Sequence, residues 1–173
     1  TKPRLSWELQ SNQRNQVQTA YQVIVASSIK NANSGNGDMW DSGEIKGNQT
    51  NQIEYTGKPL KSRNIYYWRV KSWDKKGISS NWSEVATWEM GLMEKANWKA
   101  SWIGNDLSAL GKGKEYHLPP APYFRKEVEL KGKIKHAKLY VTALGLYEFY
   151  VNGQRIGKDY FTPGWTDYDK RVY

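Results

Sequence analysis

The sequence predicts an all-β protein of antiparallel sandwiches, and three observations carry that prediction. Trp, Tyr and Phe number 9, 12 and 3 and make up 14% of the 173 residues, and aromatic and β-branched side chains suit a pleated, half-buried surface. Apolar and polar residues alternate with period two in short segments bounded by Gly, Asn, Pro and Ser. No stretch of a dozen residues holds a 3.6-residue period. Mean hydropathy is −0.84, and no apolar run approaches the ~20 residues of a membrane-spanning helix. The absence of cysteine excludes disulfide scaffolds, thiolate zinc sites and cysteine nucleophiles. No basic segment followed by a short apolar run opens the chain, which reads as a mature protein or an excised piece. The length suits one large domain or two small ones.

Residues 5–8 form the first strand, and the polar stretch 10–18 has too few apolar residues to continue it. Residues 20–27 form the second, with Tyr21, Val23 and Val25 on one face and Gln22, Ile24 and Ala26 on the other. Residues 30–38 carry Asn31, Asn33, Ser34, Gly35, Asn36 and Gly37. These types tolerate positive φ or bond their own backbone, so the segment reads as a mobile loop. Short strands follow at 40–45 and 51–56, then a long one at 65–74. In the long strand Tyr66, Trp68 and Val70 share one face while Tyr67, Arg69, Lys71 and Trp73 take the other, interleaving cations and rings on the outer surface. A turn at 77–81 leads into a sixth strand at 82–90. Strands at this spacing with no intervening helix describe an antiparallel sandwich of the immunoglobulin kind.

Leu5-Ser6-Trp7, Leu60 six positions before Tyr66, the run Tyr66-Tyr67-Trp68-Arg69-Val70 and Trp82-Ser83-Glu84 together resemble a fibronectin type III domain over residues 1–91. The resemblance implies a tyrosine corner, with the Tyr66 phenol pinning a strand crossover near Leu60. It also implies a missing first strand, because only four residues precede Leu5. Tyr67, Trp73 and Trp82 are candidates to meet a neighbouring domain, since an exposed patch of this kind usually marks an interface.

The texture changes at 91–97, and residues 98–173 read as a second domain. Residues 105–122, rich in Gly and Pro, read as a long irregular loop. Alternation resumes at 123–130, 136–143 and 146–151, and Asn152-Gly153 is a strong hairpin signal that pairs 154–156 back. Pro163-Gly164-Trp165 is a turn, and 167–173 begins another strand. So few strands make a marginal unit alone, so this domain reads as the truncated start of a larger sandwich.

No catalytic constellation stands out. His117 and His136 have no metal-like partner at a fixed spacing and read as ordinary surface histidines. Gly111-x-Gly113 lacks the strand-to-helix context of a phosphate loop. Lys and Arg outnumber Asp and Glu by 26 to 17, a net charge of +9. The densest cluster, Arg125, Lys126, Lys131, Lys133, Lys135 and Lys138, is interrupted by Glu127 and Glu129. Mixed signs mark a solvated strand face or a protected sheet edge rather than a phosphate groove, so nucleic acid is not an expected partner. Asn48-Gln49-Thr50 and Asn81-Trp82-Ser83 fit glycosylation acceptors, as chance triplets often do.

Ala137-Lys138-Leu139-Tyr140-Val141, Gly145-Leu146-Tyr147-Glu148, Val151-Asn152-Gly153, Thr162-Pro163-Gly164-Trp165-Thr166-Asp167-Tyr168 and Arg171-Val172-Tyr173 stand in an order that closely resembles the N-terminal β-sandwich of bacterial α-L-rhamnosidases, glycoside hydrolase family 78. A fibronectin-like domain precedes that sandwich in the family. The linker Trp98-x-x-x-Trp102-Ile103-Gly104 and the Pro-Tyr-Phe-Arg-Lys-Glu run at 122–127 also match it. The fold implied is an immunoglobulin/fibronectin III-like antiparallel sandwich followed by part of a jelly-roll β-sandwich.

The resemblance implies a parent enzyme that hydrolyses terminal α-L-rhamnosides with inversion, its acid and base lying in a helical toroid far downstream. No catalytic residue carries over, and the segment alone is expected to be inactive. The implied partners are the downstream catalytic domain and rhamnose-containing glycans, with no membrane. No cofactor is expected, calcium entering by resemblance only, and the implied location is periplasmic or extracellular in a bacterium. Tyr147, Asn152, Trp165, Asp167 and Tyr168, near the hairpin and the turn, are candidates for carbohydrate binding by stacking and hydrogen bonding. A scaffold role competes with this: Tyr147 as core, Asn152 as a turn residue and Trp165 as a cap. A free-standing fibronectin-like adhesion or interaction module is the alternative for the first domain.

Overall fold

The computed structural model of the chain describes residues 2–105, 121–134 and 136–173. It divides into two compact units, Thr1–Gly104 and Asn105–Tyr173. His117, Gly111, Gly113, Lys135 and most of the loop expected at 105–122 lie outside the described residues.

Unit 1 is built of antiparallel strands β1 (Arg4–Leu5), β2 (Ala20–Ala26), β3 (Trp40–Asp41), β4 (Ile45–Lys46), β5 (Ile53–Glu54), β6 (Ile65–Trp73) and β7 (Ala86–Glu89). The larger sheet runs β3-β2-β6-β7, with β4 also pairing to β2, and β1 pairs with β5 in a small second sheet. Leu5 and Ile53 from the small sheet join Tyr21, Val23, Val25, Tyr66 and Val70 from the large one in a single buried cluster with Tyr55, Leu60 and Met90. The alternation expected in β2 and β6 therefore forms the core of a sandwich. Its rings meet at angles: Trp7 on Tyr21 at 5.1 Å, Trp40 on Tyr55 at 5.5 Å and Trp88 on Tyr66 at 5.6 Å. Such pairs contribute about 0.5–1.5 kcal/mol beyond their buried area.

The Tyr66 hydroxyl accepts a hydrogen bond from Lys61 N at 2.8 Å, the bond a tyrosine corner requires. A second pin was not visible in the sequence. Gln18, 5% exposed, accepts from Trp7 Nε1 at 3.0 Å and donates to the carbonyls of Gly47 and Gln49 at 3.3 and 2.9 Å. One amide thus ties three backbone segments across an otherwise apolar interior.

Several sequence expectations are corrected. Residues 30–38 are not a loose loop: Ile29–Asn33 forms a short helix, α1, capped by Ser28. Helix α1 packs on β2 and β6, and its Ala32 is fully buried, as are Ile24 and Ala26 on the core-distant face of β2. Asp38 closes the segment by accepting from the amide and hydroxyl of Ser27 at 2.9 and 2.6 Å. Asn and Ser favour caps and turns for the same reason, side-chain bonding to nearby backbone, so composition did not distinguish the two. The strand expected at 40–45 is two short ones, broken at Gly43 with φ +62, where the Asp41 carboxylate accepts from Gly43 N at 2.9 Å. The last strand of unit 1 begins at Ala86 rather than at 82.

Unit 2 contains one hairpin among the described residues, β8 (Tyr150–Val151) and β9 (Gln154–Arg155). Asn152 and Gly153 turn it with φ +49 and +80, the doubly positive geometry that their sequence signals. The strands expected at 123–130, 136–143 and 167–173 are absent among the described residues. Alternation decides which side chains share a face, but a strand exists only where its backbone groups find a ladder partner. At 167–173 the chain turns instead, with the amides of Lys170 and Arg171 both donating to Asp167 O at 3.0 Å.

Candidate functional site

Two aromatic clusters were marked in the sequence, one in each unit. In unit 1, β6 places Tyr67, Arg69, Lys71 and Trp73 on the face away from the core because Tyr66 and Val70 face into it. Tyr67, Trp73 and Trp82 are each half-buried. The structure brings Trp73 and Trp82 together through Lys71, whose Nζ lies 5.1 and 4.9 Å from the two ring centroids. Arg69 is committed elsewhere, donating from Nε to Ser83 O at 2.7 Å and from its terminal nitrogen towards the Ala32 carbonyl at the end of α1. Tyr67 sits two register steps from Lys71, opposite Ala26. Interleaving of rings and cations was legible in the sequence; Lys71 as the point joining two indoles was not, because Trp82 lies outside β6.

In unit 2, Trp165 is 81% exposed and stands 6.2 Å from Tyr168. The Tyr168 hydroxyl accepts from Gly145 N at 2.7 Å, so the ring is anchored at its polar end. Tyr147 is half-buried and tied to Thr162 both ways: its amide donates to Thr162 O at 2.9 Å and its carbonyl accepts from Thr162 Oγ1 at 3.0 Å. Segments 145–147 and 162–168 are therefore held together by three hydrogen bonds. The Asp167 carboxylate pairs with Lys170 at 2.9 Å and accepts from Asp169 N at 3.1 Å, which leaves it partly committed. Asn152 stands apart from this group at the hairpin tip, beyond the strands it connects. Gly145 and Thr162, which anchor Tyr168 and Tyr147, were not singled out. Gly145 adopts φ +117, a conformation few other residues take, and the Leu-Gly-Leu spacing hinted at this.

Electrostatics add little chemistry. The Tyr55 phenol is pushed up to about 12, mainly by burial, so it remains a hydrogen-bond donor to Lys58 O at 2.7 Å. The Tyr150 phenol is raised by its bond to the Glu148 carboxylate at 2.7 Å. A cleft of about 270 Å³ in unit 1 is lined by Lys2, Tyr55, Lys58 and Leu60, with the Lys2 ammonium already bound to Glu54 at 2.8 Å. Among the described residues no three His, Asp or Glu side chains gather into a donor set. No described helix is long and apolar enough to cross a membrane.

Unit 1 is thus an immunoglobulin-class β-sandwich module, and unit 2 is a β segment whose rings project from its surface. The model for the Rha78A-like, N-terminal immunoglobulin domain matches residues 1–94, and that for the alpha-L-rhamnosidase N-terminal domain matches residues 132–173. The chain belongs to the family of N-terminal domains of α-L-rhamnosidases. It is 40% identical over 98% of its length to an alpha-L-rhamnosidase of Alteromonas sp. (strain LOR) and 40% identical over 99% to one of Formosa agariphila, spanning 19% of each. The solved alpha-L-rhamnosidase from Dictyoglumus thermophilum is 39% identical, with a TM-score of 0.81 over 99% of this chain and 20% of that one. A Streptomyces avermitilis alpha-L-rhamnosidase, solved in complex with L-rhamnose, is 42% identical with a TM-score of 0.57 over 61% of this chain and 10% of that one. The chain therefore spans about a fifth of the length of the curated relatives it matches.

Proposed function

We propose that this chain serves as a non-catalytic N-terminal segment of an α-L-rhamnosidase, supporting a downstream catalytic domain that hydrolyses terminal α-L-rhamnosides. The observation that carries this is coverage: similarity runs along 98% of the chain yet over only 19% of a relative. The chain alone is then inactive. Incubation with an aryl α-L-rhamnoside tests this, and turnover by the purified 173-residue chain would refute it. A free-standing adhesion module leaves the match at residues 132–173 without a reason.

A second reading, glycan binding by unit 2, is favoured by the exposed Trp165 ring beside the anchored Tyr168. An exposed ring offers a flat apolar face for stacking, and polar groups placed beside it fix a ligand's orientation. Asp167 would supply an acceptor and Tyr147 an adjoining wall, with Asn152 contributing from the hairpin tip. Calorimetry with L-rhamnose is expected to give binding heat for the chain and none for Trp165→Ala. Absence of heat with both proteins would leave the scaffold role alone.

A further inference from the structure

The outer face of unit 1 holds a cation in an unusual setting. Lys71 Nζ lies between the Trp73 and Trp82 indoles at 5.1 and 4.9 Å, and Gln22 stands opposite Lys71 in register on β2. Among the described residues no carboxylate pairs with Lys71. Asp41, on β3 beyond β2, has its Oδ1 already taken by Gln22 Nε2 at 2.7 Å and Gly43 N at 2.9 Å. Arg69, the other cation of this row, donates from Nε and Nη1 to backbone carbonyls. Lys71 therefore keeps ammonium N–H groups for an external acceptor, while the two indoles restrict where that ammonium can point.

We propose that this face binds an anionic polysaccharide of the uronate-bearing kind, with Lys71 taking a carboxylate and the rims of Trp73 and Trp82 taking the adjoining sugar faces. Charge complementarity selects an anion, since the chain carries +9 and no carboxylate among the described residues pairs with Lys71. One cation flanked by flat apolar surface fits a chain that alternates a single charge with a ring face. Nucleic acid calls for a row of cations along a backbone, and the row here offers one that is unspent. The glycan part of the inference rests on the chain belonging to a glycan-degrading enzyme. The surface is the one expected from sequence to meet a neighbouring domain, and that occupant becomes an outcome of the test.

Affinity electrophoresis of the 173-residue chain decides it, in gels containing polygalacturonate, neutral galactan or duplex DNA. Polygalacturonate is expected to retard the chain and galactan to leave it unaffected. Lys71→Glu should weaken retardation at least tenfold, and Lys71→Gln and Trp82→Ala several-fold. Lys131→Glu, which changes net charge equally at an exposed site in unit 2, should stay within twofold. Thermal melts of each variant separate lost binding from lost folding, and Lys71→Gln, the mildest change, decides if Trp82→Ala melts early. Three results would overturn the proposal: no retardation of the unaltered chain, equal loss in Lys71→Glu and Lys131→Glu, or DNA retardation lost through the same substitutions. If the Lys71 variants bind normally but destabilise the full-length parent, the face meets a domain and the proposal falls. Aryl-rhamnoside turnover by that parent, measured separately, shows whether the rhamnosidase reading survives a negative result.

Discussion

Replacing Gln18 with Leu removes the amide that joins three segments of unit 1 while nearly preserving volume. The variant strands the Trp7 indole N–H and the carbonyls of Gly47 and Gln49, which Gln18 engages at 3.0, 3.3 and 2.9 Å. A buried group left without its partner costs about 1–3 kcal/mol. Trp7 and Gly47 are only half-buried and Gln49 is exposed, so water replaces part of the loss, the lower figure applies to each of the three groups and the total is about 3 kcal/mol. For a domain of this size each kcal/mol lowers the melting temperature by about 4–8 °C, which puts the expected drop at about 12–24 °C. Urea unfolding followed by tryptophan fluorescence, together with a calorimetric melt, measures both quantities. A loss under about 1 kcal/mol would refute the reasoning, because the three groups would then be satisfied without Gln18. A Gln18→Glu variant provides a check: it keeps the acceptor for Trp7 but loses both donors, so it should also destabilise, by more at pH 7 than at pH 4.

Gly57→Ala should destabilise unit 1 by about 1–3 kcal/mol, the cost of overpacking, because a Cβ there falls 2.5 Å from Trp40 Cβ and 2.6 Å from the Tyr55 hydroxyl; an unchanged urea midpoint would contradict the packing. At Asp38 burial pushes the carboxyl up, but hydrogen bonds from Ser27 and Asn31 outweigh it and hold the group below its ordinary value. A depressed carboxylate stabilises the fold above its unfolded pKa of about 3.9 and loses that contribution as pH falls through the lower folded value. The stability gap between the chain and Asp38→Asn should therefore shrink from pH 5 downwards, and a gap independent of pH would refute the assignment.

How far the sequence reaches differs between the two units. In unit 1 the period-two runs at β2 and β6 fixed their faces in advance, because Tyr21, Val23, Val25, Tyr66 and Val70 can satisfy the alternation only by entering one core. The Leu60–Tyr66 spacing likewise announced the phenol bond to Lys61. Helix α1 escaped notice because its capping serine and its asparagines are also turn formers, and only packing against β2 and β6 decides between the two. In unit 2 the Asn152-Gly153 turn was legible because its φ angles are set by local sterics. The strands around it were not, since pairing depends on backbone partners far away in the chain.

For the candidate sites, residue types and their neighbourhoods could be read from the order of the chain: rings and cations interleaved on β6, and Trp165 near Tyr168. The meeting of Lys71 with Trp82, the Gly145 anchor on Tyr168 and the Gln18 tie across the interior could not. Periodicity and turn chemistry act over a few residues and are written locally. Which side chain touches which across 11 or 23 positions of separation follows from how the segments pack, and that was settled only when the chain folded.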